Sequence, residues 1–274
     1  MILLAEFLFA LAAVFVKLVT TVSKIPPIEA TFFRFSIGFI IAGFALYKSK
    51  QSFKPVKPIY VYTRAILNTV SLILFFYSVK LTTITNSNML NMTYPVFIFL
   101  ISLVFIKSKP KITHFVYVLL SMIGIYFVIK PDFNNVNEGD LMGLLSGITS
   151  AGAIISLRFA RRYDTSLIIL FYLMFIGFLI NIFFLIPLFV MLQGKQWVYL
   201  ILSGLSGFFG QWLLTSGYKF ISARYGSIVS SVRIIYAALF GIFIFKEIFT
   251  FRLLLGSVLI FISIIGIGYL MKEN

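Results

Sequence analysis

Apolar runs long enough to cross a lipid bilayer follow one another along nearly the whole chain, with only short polar links between them. A hydrocarbon core of roughly 30 Å takes about 20 helical residues at about 1.5 Å each, and every backbone N–H and C=O inside it must be paired within the segment. The runs read as helices over residues 1–19, 29–47, 60–79, 83–106, 112–130, 139–159, 166–191, 197–218, 222–245 and 251–271. Of all residues 61% are hydrophobic and only 11% charged, against about 25% charged in soluble domains. The expected fold class is therefore an all-α integral membrane protein of ten transmembrane helices. The first run is not expected to be a cleaved signal, because it lacks a basic leader, carries Glu6 and Lys17, and is followed by further spans.

The net charge of +15 would suggest nucleic acid in a soluble protein, but here the basic residues sort by side of the membrane. With the N-terminus inside, most of the 23 Lys and Arg, including Lys48, Lys50, Lys54, Lys57 and Arg64, fall on the inner face. Both termini are then cytoplasmic, and the expected partner is the bilayer rather than nucleic acid. The chain has no cysteine and one histidine, His114, beside the turn from Lys107 to Lys111, where an interfacial or packing role is expected. Neither metal nor cofactor is expected. No GxxxxGK[ST] loop occurs, so ATP is not expected to drive any activity from within this chain.

A shift of 139 residues lays Lys219 on Lys80, Ser227 on Asn88, Ser230 on Asn91 and Arg233 on Tyr94. In each copy the polar residues recur at every third position: Thr85, Asn88, Asn91 and Tyr94 in one, Arg224, Ser227, Ser230 and Arg233 in the other. At about 300° per step they drift along one helical face. Such residues either bind helices together or line a site, and their recurrence at matching positions favours a site. The longest polar link, PDFNNVNEGD from Pro131 to Asp140, divides the chain into repeats over 1–130 and 139–271. Five helices per repeat is an odd number, so the second repeat is expected to insert upside down, related to the first by a two-fold axis in the membrane plane. Small residues at four-residue spacing, Gly143, Gly147 and Ala151, and then Ser203, Gly207 and Gln211, suit close helix packing. Pro95 either bends its helix or shapes the bundle.

These features resemble the drug/metabolite transporter superfamily, and specifically its EamA-type family, across essentially the whole chain. The matching stretches are the span ending in Lys17, PPIEATFFRF with Arg34, the small and polar run ending in Pro95, and FKEIFTFRLLLG from Phe245 to Gly256. The last is similar to the family's glycine-and-glutamate turn, with Lys246 where glycine is common; its first-half counterpart, IKSKPKITH, lacks the glutamate. The resemblance implies a ten-helix, 5+5 inverted-repeat carrier that moves small metabolites by alternating access through a central cavity. It implies no particular substrate.

Arg233 is the leading site candidate, because it lies well inside an apolar span that contains no acid. An arginine at mid-depth costs on the order of 3 kcal/mol to insert, so it points into protein or water. Its planar fork suits a carboxylate or phosphate; the alternative is a structural bond to carbonyls or to Glu6. Asn88, Asn91, Tyr94 and Ser230 of the two stripes, with Tyr236, Gln211 and Trp212, complete the expected substrate site. Glu6 is the one carboxylate within a span and the candidate for proton coupling, unless it is interfacial or paired with a basic residue. Lys17 and Arg34 are read as structural, with Glu29 as a partner. The expected function is secondary transport of a small organic metabolite, an amino acid or related carboxylate or zwitterion, across the inner membrane. Uptake of an S-adenosylmethionine-type metabolite is the alternative within transport, and a channel or scaffold the alternative outside it. An enzyme is not expected, because the spans hold no cluster of acids, His or Cys. A homodimer is compatible with all of these.

Overall fold

The computed structural model describes residues 1–23, 25–82, 84–105, 112–129, 137–245 and 251–272. The turns at 106–111 and 246–250, most of the central link (131–136), and the side chains of Thr85 and His114 lie outside the described residues. All of the described regular structure is helical. The elements are α1 (Ile2–Ser23), α2 (Pro27–Lys48), α3 (Pro58–Leu81), α4 (Ile84–Asn91), α5 (Tyr94–Phe105), α6 (Ile112–Ile129), α7 (Glu138–Ala160), α8 (Ser166–Leu185), α9 (Lys195–Gly217), α10 (Ala223–Ser230), α11 (Val232–Phe245) and α12 (Phe251–Lys272). Seven segments of the described chain are long and apolar enough to cross a membrane: α1, α2, α3, α7, α8 with the 3-10 turn that follows it, α9, and the α10–α11 run. Shorter apolar segments lie in α6 and α12.

Helix ends follow local chemistry. Proline opens α2 and α3, where a missing N–H costs nothing. Asn137 and Asp140 form a reciprocal capping box at the start of α7. Ser222 caps α10 through the Tyr225 N–H.

Two expected spans are interrupted. The fourth breaks at Met92 and Thr93, and Pro95 occupies the second residue of α5, where its ring does not obstruct the helix behind it. The ninth breaks at Ser231 without a proline; the Ser231 N–H reaches the Ile228 carbonyl, and its hydroxyl shares a hydrogen bond with Ser121 at 2.9 Å. Under the 139-residue shift α4 falls on α10, first residue on first and last on last. Tyr94 and Arg233 thus both stand just past a break.

The bundle is held by α3 along α7, α1 along α9, α2 along α8, and α6 along α12. Glycines set several of these contacts. A Cβ on Gly147 would meet the Leu90 carbonyl and the Thr93 hydroxyl at 2.7 Å, so glycine is what allows α7 to lie against the α4–α5 break. Ser203 donates to the Ala12 carbonyl at 3.2 Å across the α1–α9 contact.

Buried carboxylates tie loops of the two halves together. Asp164, in the α7–α8 turn, accepts the backbone N–H groups of Val56 (2.7 Å) and Lys57 (3.2 Å) before α3, and its neighbour Thr165 donates to Gln51. Glu29, at the start of α2, accepts the Val190 N–H from the α8–α9 link at 3.2 Å. The expected Glu29–Arg34 pair does not form: Glu29 turns to this backbone, and Arg34 turns inward. Asp164→Ala strands two backbone donors and forfeits two charge-assisted hydrogen bonds. It is expected to cost about 2 kcal/mol, read as a lower unfolding temperature of the purified protein, while Asp164→Asn retains part of the stability.

Candidate functional site

α1, α2, α3, α4, α5, α7, α9 and α11 all contribute to one internal cavity of about 90 Å³. Its charged lining consists of Glu6 from α1, Arg34 from α2, Arg64 from α3 and Arg233 from α11. Asn68, Ser71, Asn88, Asn91, Tyr94, Ser150 and Gln211 add uncharged polar groups, and Phe9, Phe75 and Phe76 add aromatic wall. Among the described residues Glu6 is the sole carboxylate on this surface.

Arg233 and Glu6 form an ion pair: both Nε and Nη2 of the arginine reach the same carboxylate oxygen, each at 2.5 Å. Glu6 is fully buried and Arg233 keeps 18% of its side-chain surface exposed. The other carboxylate oxygen, Oε1, is buried without a partner. The alternative of a bond to Glu6 is thus what the structure shows for Arg233, and the pair stands on the cavity wall. Glu6 is paired rather than interfacial. Phe9 lies between two cations, with Arg233 4.8 Å and Arg34 5.2 Å from its ring centroid.

Arg34 lacks a carboxylate partner among the described residues, and its Nη2 makes one long bond, 3.5 Å, to the Gly207 carbonyl. A Cβ on Gly207 would meet Arg34 Nε at 2.8 Å, so this position in the small-residue stripe of α9 makes room for a guanidinium. Arg64, which positive-inside sorting places on the inner face, is instead among the most deeply buried side chains, at 1% exposure. Its Nε and Nη2 have no hydrogen-bond partner. The phenols of Tyr94 and Tyr218 lie within its electrostatic reach.

The structure brings Arg233, Asn88, Asn91, Tyr94 and Gln211 to the cavity with Glu6. Asn91 also serves packing: its amide donates to Ser146 (2.9 Å) and Ser150 (3.4 Å), and Ser150 pairs with Ser71 at 2.6 Å, joining α3, α4 and α7. The Gln211 amide nitrogen is a buried donor without a partner. Ser230 is fully buried among Glu6, Tyr94 and Tyr218, off the cavity lining. Tyr236 packs edge-on to Phe7 at 5.5 Å, and Trp212 is 42% exposed on the outer side of α9. These three are not on the cavity lining; Trp212 is turned away from it because neighbours in a helix point about 100° apart. Arg64 was nonetheless detectable in sequence: with Asn68 and Ser71 it follows the i, i+4, i+7 spacing of a polar stripe in an otherwise apolar helix. Among the described residues no group of three His, Cys, Asp or Glu is placed to hold a metal ion.

Comparison with known proteins gives these features a context. The profile of the EamA-like transporter family matches twice, over residues 1–130 and 137–269. An uncharacterized transporter of Helicobacter pylori is 28% identical, over 100% of this chain and 95% of its own. The pseudopaline exporter CntI of Pseudomonas aeruginosa is 23% identical over 97% of this chain and 93% of its own. An S-adenosylmethionine uptake transporter of Rickettsia felis is 21% identical over 92% and 86%. A protein crystal structure superposes with a TM-score of 0.79 over 99% of this chain and 96% of its own, at 15% identity, and so shares the fold.

Breaking a buried ion pair from one side leaves an uncompensated charge at a cost of about 3 kcal/mol or more. Glu6→Gln is therefore expected to lower the unfolding temperature more than Glu6→Gln combined with Arg233→Gln. A double-mutant cycle of thermal unfolding measures the difference, and additive effects would show that the pair contributes no coupling.

Proposed function

The chain belongs to the EamA-like transporter family, and on that premise we propose that it is a secondary carrier of a small organic metabolite with an anionic group, an amino acid or related carboxylate or zwitterion, working by alternating access. It is a multi-pass protein of the inner membrane. The observation that carries the substrate reading is the cavity itself, where three guanidiniums face one carboxylate in a setting of low dielectric. Arg233, Asn88, Asn91, Tyr94 and Gln211 contact the substrate in this reading, and Ser230 and Tyr236 support them from behind. Trp212 is left at the protein's outer surface.

The transport mechanism draws its support from the symmetry of the packing. The 139-residue shift carries α3 to α9 and α7 to α1, so the α3–α7 contact becomes the α9–α1 contact, while α2–α8 and α6–α12 each map onto themselves. Two halves related in this way, counted as ten spans with the two broken helices as one each, fit a 5+5 inverted repeat. In such a carrier each half takes the other's conformation in turn, so the cavity opens first to one face and then to the other. Positive-inside sorting sets both termini in the cytoplasm in this reading. An adenosyl-type substrate, suggested by the Rickettsia felis relative, is the second reading; a sulfonium cation would face three guanidiniums, which favours the anionic class.

Reconstituted into liposomes, the protein is expected to exchange a labelled carboxylate metabolite saturably, and Arg233→Gln to reduce that exchange at least about tenfold. A thermal-shift screen selects the metabolite, because a ligand of the native state raises its apparent stability. Conductance without saturation would indicate a channel, and unchanged exchange by a folded Arg233→Gln protein would remove Arg233 from the site.

A further inference from the structure

Charge in the cavity is unbalanced, and the imbalance lies mostly away from the leading sequence candidate. Glu6 is committed to Arg233 through one oxygen at 2.5 Å. Arg34 and Arg64 remain, both buried, and no carboxylate compensates either among the described residues. They are close enough to repel: Arg34 lies within the electrostatic reach of both Arg64 and Arg233. Burying like charges together without counter-charge is costly, and a guanidinium with two unpartnered nitrogens is costlier still. Ordinary packing gives no reason to keep Arg64 here: α3 could fill the position with an apolar side chain at lower cost.

Building on the carrier reading above, we infer that the cavity is made for a substrate bearing two anionic groups, with Arg64 and Arg34 as its paired anchors and the Arg233–Glu6 pair as a neutral wall. Two anionic groups restore charge balance, whereas a single carboxylate leaves one guanidinium uncompensated. Arg64 lines the cavity while its buried Nε and Nη2 lack hydrogen-bond partners, and a guanidinium takes a carboxylate or phosphoryl group in a two-point contact. The Gln211 amide nitrogen, on a residue that also lines the cavity, is a further donor without a partner. Dicarboxylates, acidic amino acids and small phosphorylated acids share this chemistry.

The test compares succinate with succinamate and succinamide, which have nearly the same shape but successively lose one and two charges. Affinity of the full-length purified protein is expected to fall about tenfold or more at each step, as the loss of a charged hydrogen-bonded contact predicts. In Arg64→Gln the preference for succinate over succinamate is expected to shrink to within about threefold, and Arg64→Lys to recover part of it. A second measurement needs no ligand: Arg64→Gln removes an unpaired buried charge and is expected to raise the unfolding temperature of the empty protein while abolishing stabilisation by succinate.

Equal affinity for succinate and succinamate, stabilisation by chloride or sulfate as strong as by succinate, or a lower unfolding temperature in empty Arg64→Gln would each overturn the inference. So would absence of binding by every solute tried that bears two anionic groups, malate, aspartate and phosphoenolpyruvate included. Exchange assays separate the two levels of the proposal. If solutes with a single anionic group exchange saturably and solutes with two do not, the carrier stands and the two-anion site falls. If no solute exchanges saturably, the carrier reading falls with it.

Discussion

A lipid interior gives no water to a buried charge, so each ionised side chain placed there must find its compensation in the protein or in what the protein binds. The lining of the cavity shows that constraint. Glu6 near the start of α1 meets Arg233 just past the break between α10 and α11, and the bond spans 227 residues of sequence at the cavity. The break lets α11 begin beside the cavity, and Phe9 lies between this pair and Arg34. The pair compensates the charge of Arg233 and leaves the second carboxylate oxygen buried, with Ser230 beside Glu6.

The repeat supplies geometry but not chemistry. Helix ranges, breaks and the principal contacts correspond under one shift, yet the charges do not: the same shift takes Arg64 to Ser203, Arg34 to Leu173 and Glu6 to Leu145. Three of the four charged cavity groups therefore come from the first half, and the second contributes Arg233. A scaffold whose halves correspond in this way thus encloses a cavity whose charge is lopsided. In the carrier reading, the scaffold governs movement and the uneven charges govern what is moved.

Much of this organisation was legible in the sequence. The apolar runs gave helices close to those observed, the shift of 139 residues anticipated that α4 and α10 would coincide, and a mid-span arginine marked the cavity wall. Arg64 was misplaced because it lies six residues, about 9 Å, into its helix, where distance along the chain cannot separate an interfacial arginine from one turned inward. Trp212 failed for a different reason: adjacency to Gln211 was read as shared orientation, and one helical step turned it outward. The break at Ser231 has no proline to announce it. Pairing of Glu6 with Arg233 was one of two alternatives, and only three-dimensional packing could select it.

Gly207 shows how far the chemistry of such a cavity reaches into residues that carry none. It has no side chain and no charge, yet the place where its Cβ would stand is 2.8 Å from Arg34 Nε. A single methyl group there would displace a cation rather than fill a gap. Its consequence would be felt as an altered field in the cavity, so a change from glycine to alanine, usually counted among the mildest, becomes in effect an electrostatic substitution. In the carrier reading, selectivity can therefore drift through small residues while every charged residue stays in place.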